Sequence, residues 1–402
     1  AEAKTYLHDR CQPKTRNLVS KRVLEFYDNQ NVTDPQTCMG IIGNARTAGD
    51  RASERRYLLR LHLLLSEDHL QQEAYDALAH ALRIDFSGDI DLRQEEIVED
   101  LVKFRRMVEI TGCTTEAEFI YARQSDIPEC FEKYLLLGTL FLFQGDRKSA
   151  LKNFEKAEKL SADASQKSTA KLYQAQIYAR TEPARVKKCL DGIALEKVSQ
   201  AFQIKAATLM AAYESRDRDY DRAARGLEDF LTELAPSQDP DAMIELASLH
   251  NTLGEIYSIQ KNIAEADEHF NTALNIWNSF NIRRHLGWIH NNLADLYLKQ
   301  GFTILGLKHA QQAQIFAKDR QNLLAEGCAL LNQGEAMIKM GRFEKAEETL
   351  QEAKEMITRV GANKYLVSIE RNLALAKSKI SDFGHYYKFI LEHEPKLIEG
   401  TI

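Results

Sequence analysis

Small and large apolar residues recur with one spacing in four stretches of the chain. In each stretch a small residue is followed three positions later by a large one, and nine positions after that by a second small residue. A second large residue comes four positions later, and a third small residue three positions after that. Spacings of three and four place side chains on one face of an α-helix, whereas the gap of nine leaves room for a turn. Each stretch is therefore predicted to form a helical hairpin, whose small residues let its two helices approach closely.

Two copies carry every position of this pattern, and two carry most of it. The complete copies are Gly138, Phe141, Ala150, Phe154, Ala157 and Gly254, Tyr257, Ala266, Phe270, Ala273. The other copies are Ala294, Tyr297, Gly306, Ala310, Ala313 and Gly334, Met337, Ala346, Leu350, Ala353. The last three copies begin 40 residues apart, and Ala374 continues the period. Gly145, Gly301 and Gly341 lie in the gaps and are predicted to form the turns.

This small–large–small–large–small series across two antiparallel helices resembles the tetratricopeptide repeat family. The resemblance is strong over roughly 131–160 and 244–360. It implies an all-α fold, a right-handed α-α superhelix, in which antiparallel helical hairpins stack as a solenoid. The 40-residue unit is longer than the usual 34 and is similar to the long repeats of kinesin light chains and of some bacterial regulators. The proline that often ends a family repeat is missing from all four copies.

The repeats and the helix breakers together predict the organisation of the chain. Residues 1–130 are expected to form an N-terminal helical region with divergent repeats, 131–238 tetratricopeptide-like repeats, 239–380 regular 40-residue repeats, and 381–402 a C-terminal cap. Pro236 and Pro240 exclude one continuous helix through both, so a joint is placed there. The pair Gly40 and Gly43 is predicted to mark a turn between two helices.

Composition and charge narrow the class of protein. The 402 residues include 19 Gly and 7 Pro, which excludes collagen-like and Gly/Pro-rich disordered chains. The net charge of −6 does not favour direct nucleic-acid binding, which usually needs a basic surface. The longest apolar run, Tyr134 to Phe143, is too short to span a membrane, and the polar N-terminus is no signal peptide. The first residue is Ala, as expected if the chain is a piece of a longer protein.

The six cysteines favour a cytoplasmic location with reduced thiols, because no CxxC pair or short secreted framework is present. The motifs of phosphate-binding loops, dinucleotide folds and HExxH metalloproteases are also absent from the sequence. His285 and His290 are five residues apart, which points them to different helix faces. We therefore predict no catalytic residue, no metal and no cofactor.

A polar stripe recurs on the first helix of each repeat. Its members are counted from the first small residue of each repeat. They lie six and two residues before it and one and five residues after it, so they share one helical face. In two successive repeats they are Trp288, Asn292, Asp295, Lys299 and Cys328, Asn332, Glu335, Lys339. Asn372 and Lys379 continue the stripe in the next repeat, while Asn251 and Asn291 lie one residue earlier in their own repeats.

Two interpretations of this stripe remain open. Asp295–Lys299 and Glu335–Lys339 are i,i+4 pairs that stabilise an exposed helix by about 0.2–0.5 kcal/mol each, and duplication copies such pairs whether or not they are used. In the tetratricopeptide family, however, first helices line a concave groove, and their asparagines commonly hold the backbone of an extended peptide. An amide suits this role because it both donates and accepts hydrogen bonds.

Two aromatic residues bear on the same choice. Trp288 shares the stripe with polar residues, so it is either a binding anchor in the groove or packed against the neighbouring repeat. Trp277 belongs to a second helix and is predicted to be core. Arg371, with Arg283 and Arg284, adds positive charge, which would favour an acidic or C-terminal peptide.

The predicted function is a non-catalytic scaffold that holds a protein or peptide segment in its concave groove. The alternative is a sensory or regulatory module of a larger bacterial signalling or transcription-regulating protein, coupling effector binding to a neighbouring domain. No membrane partner is expected, and no oligomeric state is predicted. The candidate partner-binding residues are Asn251, Trp288, Asn291, Asn292, Asp295, Lys299, Asn332, Glu335, Lys339, Arg371, Asn372 and Lys379.

Overall fold

The computed structural model describes residues 12–28, 30–87, 93–182 and 184–393, and these residues form α-helices and short connections without a strand. Two short 3₁₀ helices, Leu195–Lys197 and Ser215–Asp217, accompany the α-helices. The α-helices are, in chain order, α1 Pro13–Tyr27, α2 Pro35–Ala48, α3 Arg51–Glu67, α4 Gln71–Asp85, α5 Gln94–Thr111, α6 Ala117–Ala122, α7 Phe131–Phe143, α8 Arg147–Lys159, α9 Ala164–Thr181, α10 Ala184–Leu190, α11 Gln200–Glu214, α12 Tyr220–Glu233, α13 Pro240–Gln260, α14 Ile263–Ser279, α15 Arg283–Lys299, α16 Thr303–Asp319, α17 Leu323–Lys339, α18 Phe343–Arg359 and α19 Asn363–His393.

The helices divide into two compact units. The first comprises Ala1–Tyr213 with Phe280–Ile282, and the second comprises Glu214–Ser279 with Arg283–Ile402. Within each unit the most extensive contacts join helices that follow one another in the chain, as in α3 with α4 or α15 with α16. The fold class is the predicted one, an all-α superhelix of stacked helical hairpins.

The repeat pattern corresponds to the close contact between the two helices of a hairpin. Gly254 on α13 faces the ring of Phe270 on α14, and Phe270 is 1% exposed. Gly334 on α17 faces Leu350 on α18 in the same way. The predicted turns are confirmed, since Gly145, Gly301 and Gly341 all adopt positive φ, a conformation that other residues rarely take.

The turn predicted at Gly40 and Gly43 is wrong, because both residues lie inside α2. Both ends of this helix are capped. The side chain of Asp34 accepts a hydrogen bond from the N–H of Thr37 at the N-terminus, and Gly49 ends the helix with φ +71. Between these ends Ile41 is 1% exposed. The burial of this helical face outweighs the roughly 1 kcal/mol that each interior glycine costs.

A buried ion network joins three helices of the first unit. Arg55 on α3 donates to Asp85 at the end of α4, with an Nε–Oδ1 distance of 2.5 Å, and to Asp100 on α5. Lys103 adds a second cation 2.8 Å from Asp100. Burial nevertheless raises the pKa of Asp85 to about 6, against the opposing effect of Arg55.

The second unit begins its regular repeats after an extended connection. Helix α12 ends at Glu233 and α13 begins at Pro240, so no helix runs through the two prolines. The side chain of Asp239 accepts a hydrogen bond from the N–H of Asp241 and caps α13. At the other end, the predicted start of the C-terminal cap falls within α19, and residues 394–402 lie outside the described residues.

Two further observations concern the described residues as a whole. None of their helices has the length and apolar character needed to cross a bilayer. Their five cysteines are all free, and Cys11 lies outside the described residues.

Candidate functional site

The first helices of the regular repeats form the inner layer of the second unit. Each of α13, α15 and α17 contacts the first helix that follows it, the last of them being α19, whereas the second helices α14, α16 and α18 approach one another less closely. In a curved stack, the layer whose members lie closer together is the concave one. The exposed faces of the first helices therefore line a groove, and the polar stripe lies on these helices.

Two asparagines of the stripe meet around a carboxylate at the start of this groove. Asn292 on α15 donates through Nδ2 to Asn251 Oδ1 and to Glu255 Oε1, both at 3.0 Å. Asn251 also donates to Glu255 Oε1, at 2.9 Å. Asn251 and Asn292 are half-buried, whereas Glu255 is exposed. Glu255 was not among the residues proposed from the sequence, although it belongs to the same stripe.

The next pair of asparagines is buried between first helices. Asn332 on α17 donates to the Asn291 backbone oxygen at 3.2 Å and to its Oδ1 at 3.3 Å, while Asn291 donates to the Ala325 oxygen at 2.9 Å. Asn251–Asn292 and Asn291–Asn332 are thus equivalent pairs, each 41 residues apart. The third pair would be position 331 with Asn372, but position 331 is Leu, and Nδ2 of the buried Asn372 has no hydrogen-bond partner among the residues that the structure describes.

This difference leads to a prediction for two substitutions with opposite effects. Asn332→Leu leaves the buried Oδ1 of Asn291 without its donor and is expected to lower the free energy of unfolding by about 1–3 kcal/mol. Asn372→Leu removes an amide whose Nδ2 has no partner and is expected to raise it by about 1 kcal/mol. Urea denaturation of both variants tests this. Equal destabilisation by the two substitutions would contradict the inter-helix role of the asparagine pairs.

The charged residues of the stripe form ion pairs along their own helices. Lys299 lies 2.5 Å from Asp295, and Lys339 lies 3.5 Å from Glu335. Lys339 also donates to the Leu298 backbone oxygen, at 2.8 Å, near the C-terminal end of α15. Such a contact satisfies a carbonyl that the helix itself leaves without a donor.

Helix α19 differs because the acid of the stripe is replaced by Leu375, which is 43% exposed. Lys379 instead lies 3.6 Å from Asp382. Arg371 is exposed and has no ion-pair partner within the described part of the chain.

The two tryptophans occupy different environments. Trp277 is 2% exposed and stacks on His285 with ring centroids 4.5 Å apart, so the prediction that it belongs to the core is confirmed. Trp288 is half-buried and packs against an apolar cluster that includes Cys328 and Ile369. Trp288 therefore contacts the neighbouring repeat and keeps part of its surface exposed.

Two histidine pairs repeat with the 40-residue period, and sequence reasoning missed them. Nδ1 of His250 on α13 lies 2.9 Å from Nδ1 of His269 on α14, and Nδ1 of His290 on α15 lies 2.9 Å from Nδ1 of His309 on α16. Each pair joins the two helices of one hairpin. The signal was a separation of 19 residues that occurs twice, 40 residues apart.

The histidine pairs are neutral at pH 7. Desolvation, and next to it the charge of the partner ring, lower the pKa of His250 and of His290 to about 4. Desolvation likewise lowers the pKa of His269 and His309. Within the described ranges, no three His, Cys, Asp or Glu side chains lie close enough together to hold a metal ion. Each pair joins the two helices of its hairpin through the contact between the two Nδ1 atoms.

Comparisons with known proteins agree with this geometry. A family model described as tetratricopeptide repeat matches residues 245–313, and a second model with the same description matches residues 132–163. Among curated protein sequences, none matches this chain closely enough to count as a relative.

Solved structures share the fold at low sequence identity. A Rap protein complexed with Competence and Sporulation Factor superimposes with a TM-score of 0.52 and 14% identity, over 82% of this chain and 99% of that one. A Signal Transduction ATPase with Numerous Domains from Pyrococcus horikoshii, which has a tetratricopeptide repeat sensor, gives a TM-score of 0.50 and 13% identity, over 98% of this chain and 66% of that one. The chain therefore contains tetratricopeptide repeats, which the two models match over residues 132–163 and 245–313, and it shares its fold with these solved structures.

Proposed function

We propose that this chain is a non-catalytic, cytoplasmic scaffold, which holds an extended segment of a partner protein or peptide in the groove lined by α13, α15, α17 and α19. The observation that carries the proposal is the exposed polar stripe on the inner layer. Side chains such as Asp295 and Lys299 remain exposed there although neighbouring first helices pack tightly. An extended backbone offers donors and acceptors that side chains of this kind can satisfy.

The candidate residues have two different roles in this proposal. The buried Asn291 and Asn332 position neighbouring first helices relative to one another, whereas the buried Asn372 makes no such bond through Nδ2 within the described residues. A groove held in one geometry before binding loses less conformational freedom on binding, which favours affinity. The residues proposed to contact the partner are Asn251, Trp288, Asn292, Asp295, Lys299, Glu335, Lys339, Arg371 and Lys379.

The partner class is a polypeptide and not a nucleic acid or a membrane. The groove presents both signs of charge, with two acid–base pairs in adjacent repeats. A phosphate backbone or an anionic bilayer requires a predominantly basic surface instead. The solved Rap protein that shares this fold is complexed with Competence and Sporulation Factor, which is in keeping with a bound factor as the partner.

A charge swap tests the groove. In the double variant Asp295→Lys, Lys299→Glu the ion pair and the net charge are kept, but the charges facing the groove are exchanged. Random peptides displayed on phage are selected on the wild-type chain, and the affinity of the synthetic peptides is measured by fluorescence anisotropy. We expect at least tenfold weaker binding to the swapped variant.

The matched control is an exposed i,i+4 pair outside the groove. Lys187 on α10 and Asp191, the residue after this helix, are 57% exposed each and lie 3.6 Å apart. Exchanging them through Lys187→Asp and Asp191→Lys should leave affinity unchanged. If no peptide is enriched, or if both swaps have the same effect, the proposed function is wrong.

A further inference from the structure

The ion pairs of the polar stripe are incomplete at its first position. Asp295 has Lys299 four residues later, and Glu335 has Lys339 four residues later. The equivalent acid on α13 is Glu255, but the residue four positions later is Ile259, which is 56% exposed. Glu255 is thus an acid of the stripe that lacks the lysine which its counterparts have.

The carboxylate of Glu255 is nevertheless held in a defined orientation. Its Oε1 accepts hydrogen bonds from Asn251 at 2.9 Å and from Asn292 at 3.0 Å. Its Oε2 has no hydrogen-bond partner in the described part of the chain, and no Lys, Arg or His there forms an ion pair with it. One oxygen is therefore fixed by two neutral amides, and the other is available to a group from outside.

The surroundings of Glu255 favour a positive charge. The side chain is open to solvent, yet the surrounding helices displace enough water to raise the pKa of its carboxyl group. The two amides and the charge of Lys364 lower that pKa, but desolvation is the larger effect. A partly desolvated carboxylate gains more from a cation than a fully hydrated one does.

The residue that replaces the lysine suits the same ligand. Lysine and arginine side chains place their methylene stems on apolar surface while the charged end reaches a polar partner. Ile259 lies one helical turn from Glu255 and offers such an apolar surface. A guanidinium or ammonium group at Oε2 would occupy the place that Lys299 and Lys339 take in the next two repeats.

We propose that Glu255 is the subsite for a positively charged group of the segment held in the groove, an ammonium or a guanidinium. The proposal rests on the proposed function, since it names the chemistry of one end of the same groove. The group comes from a lysine or arginine side chain of the partner or from its α-amino terminus. In both cases Glu255 Oε2 accepts the charge-assisted hydrogen bond, while Asn251 and Asn292 hold the carboxylate in place.

Two substitutions test this subsite by different routes. Glu255→Gln removes the charge, and Ile259→Lys gives Glu255 the internal lysine that the next two repeats have. The probes are the phage-selected peptides described above, and their affinity is measured by fluorescence anisotropy. We expect each substitution to weaken binding at least tenfold. Glu352→Gln on α18, an equal change of charge on an exposed second-helix residue, should leave affinity unchanged.

Changes in the peptides identify the source of the charge. Acetylation of the peptide's N-terminus weakens binding if its α-amino group is bound. Replacing a Lys or Arg of the peptide by Gln weakens binding if that side chain is bound. The peptide change that weakens binding to the wild-type chain should have little effect on binding to the Glu255→Gln variant, because that variant has already lost the interaction.

The outcomes separate this inference from the proposed function. Peptides that respond to the Asp295–Lys299 swap but bind Glu255→Gln and Ile259→Lys like wild type would overturn the inference alone. Groove-binding peptides without any positive group would also overturn it. The absence of any enriched peptide would contradict the proposed function and this inference with it.

Discussion

Acidification from pH 7.5 to pH 5 is expected to destabilise the second unit by up to about 2 kcal/mol for each of His250 and His290. The pKa of each lies near 4 in the folded chain, against 6.5 for an unperturbed histidine. The unfolded chain therefore binds more protons below pH 6.5, and stability falls as the pH drops towards 4. At pH 5 the difference is about 1.5 pH units, or about 2 kcal/mol for each residue.

The geometry of the pairs limits how far they can be protonated. A hydrogen bond between two Nδ1 atoms needs one donor and one acceptor, so at least one ring of each pair must be neutral. Partial compensation comes from acids near His269, namely Glu268, Glu228 and Glu265, which raise its pKa. His309 faces Asp267, which raises its pKa, and Lys308, which lowers it. Desolvation is the largest effect in both pairs.

The third regular hairpin supplies a matched control, because it has Leu330 and Thr349 where the first two have histidines. A variant with His250→Leu, His269→Thr, His290→Leu and His309→Thr should lose most of the pH dependence between 5 and 7.5. Both tryptophans belong to the second unit, so their fluorescence during urea denaturation reports on its unfolding. The same loss of stability with pH in the variant and the wild type would contradict this role of the pairs.

The hairpins could be predicted from the sequence because their packing depends on short-range periodicity. Spacings of three, four and nine residues determine which side chains meet inside one hairpin, and Gly254 with Phe270 is such a contact. Two glycines close together, Gly40 and Gly43, predict a turn by composition alone, and this prediction is wrong. The end signals at Asp34 and Gly49 define one helix there instead.

The side-chain contacts between repeats could not be predicted in the same way. Asn291 with Asn332 is a contact over 41 residues, and it depends on how two first helices are placed side by side. The recurrence of asparagine was visible in the sequence, but not whether each amide faces a neighbouring helix or the groove. Glu255 is different, since the sequence itself shows Ile259 at the position where the next two repeats have lysine.

Gly254→Ala is expected to lower the free energy of unfolding by about 1–3 kcal/mol, although alanine is the better helix former. A Cβ at this position would lie 2.5 Å from Cδ1 of Phe270, a buried ring that has no room to move away. Gly287→Ala is the matched control on another first helix. There the nearest atom would be the Ala313 oxygen, at 3.6 Å, so a gain of about 0.5–1 kcal/mol is expected from helix propensity.

The repeats themselves indicate how the damage at Gly254 can be compensated. The glycine at the first position of the repeat faces a large residue in three hairpins, as Gly254 faces Phe270, whereas the hairpin that begins with Ala294 has Ala310 in place of that large residue. Phe270→Ala alone should cost about 3–5 kcal/mol because it leaves a cavity. In the double variant the Cβ of Ala fills part of that cavity, so the combined loss should be clearly smaller than the sum. Urea denaturation of the four proteins measures this coupling, and strict additivity would mean that the two positions do not pack against each other.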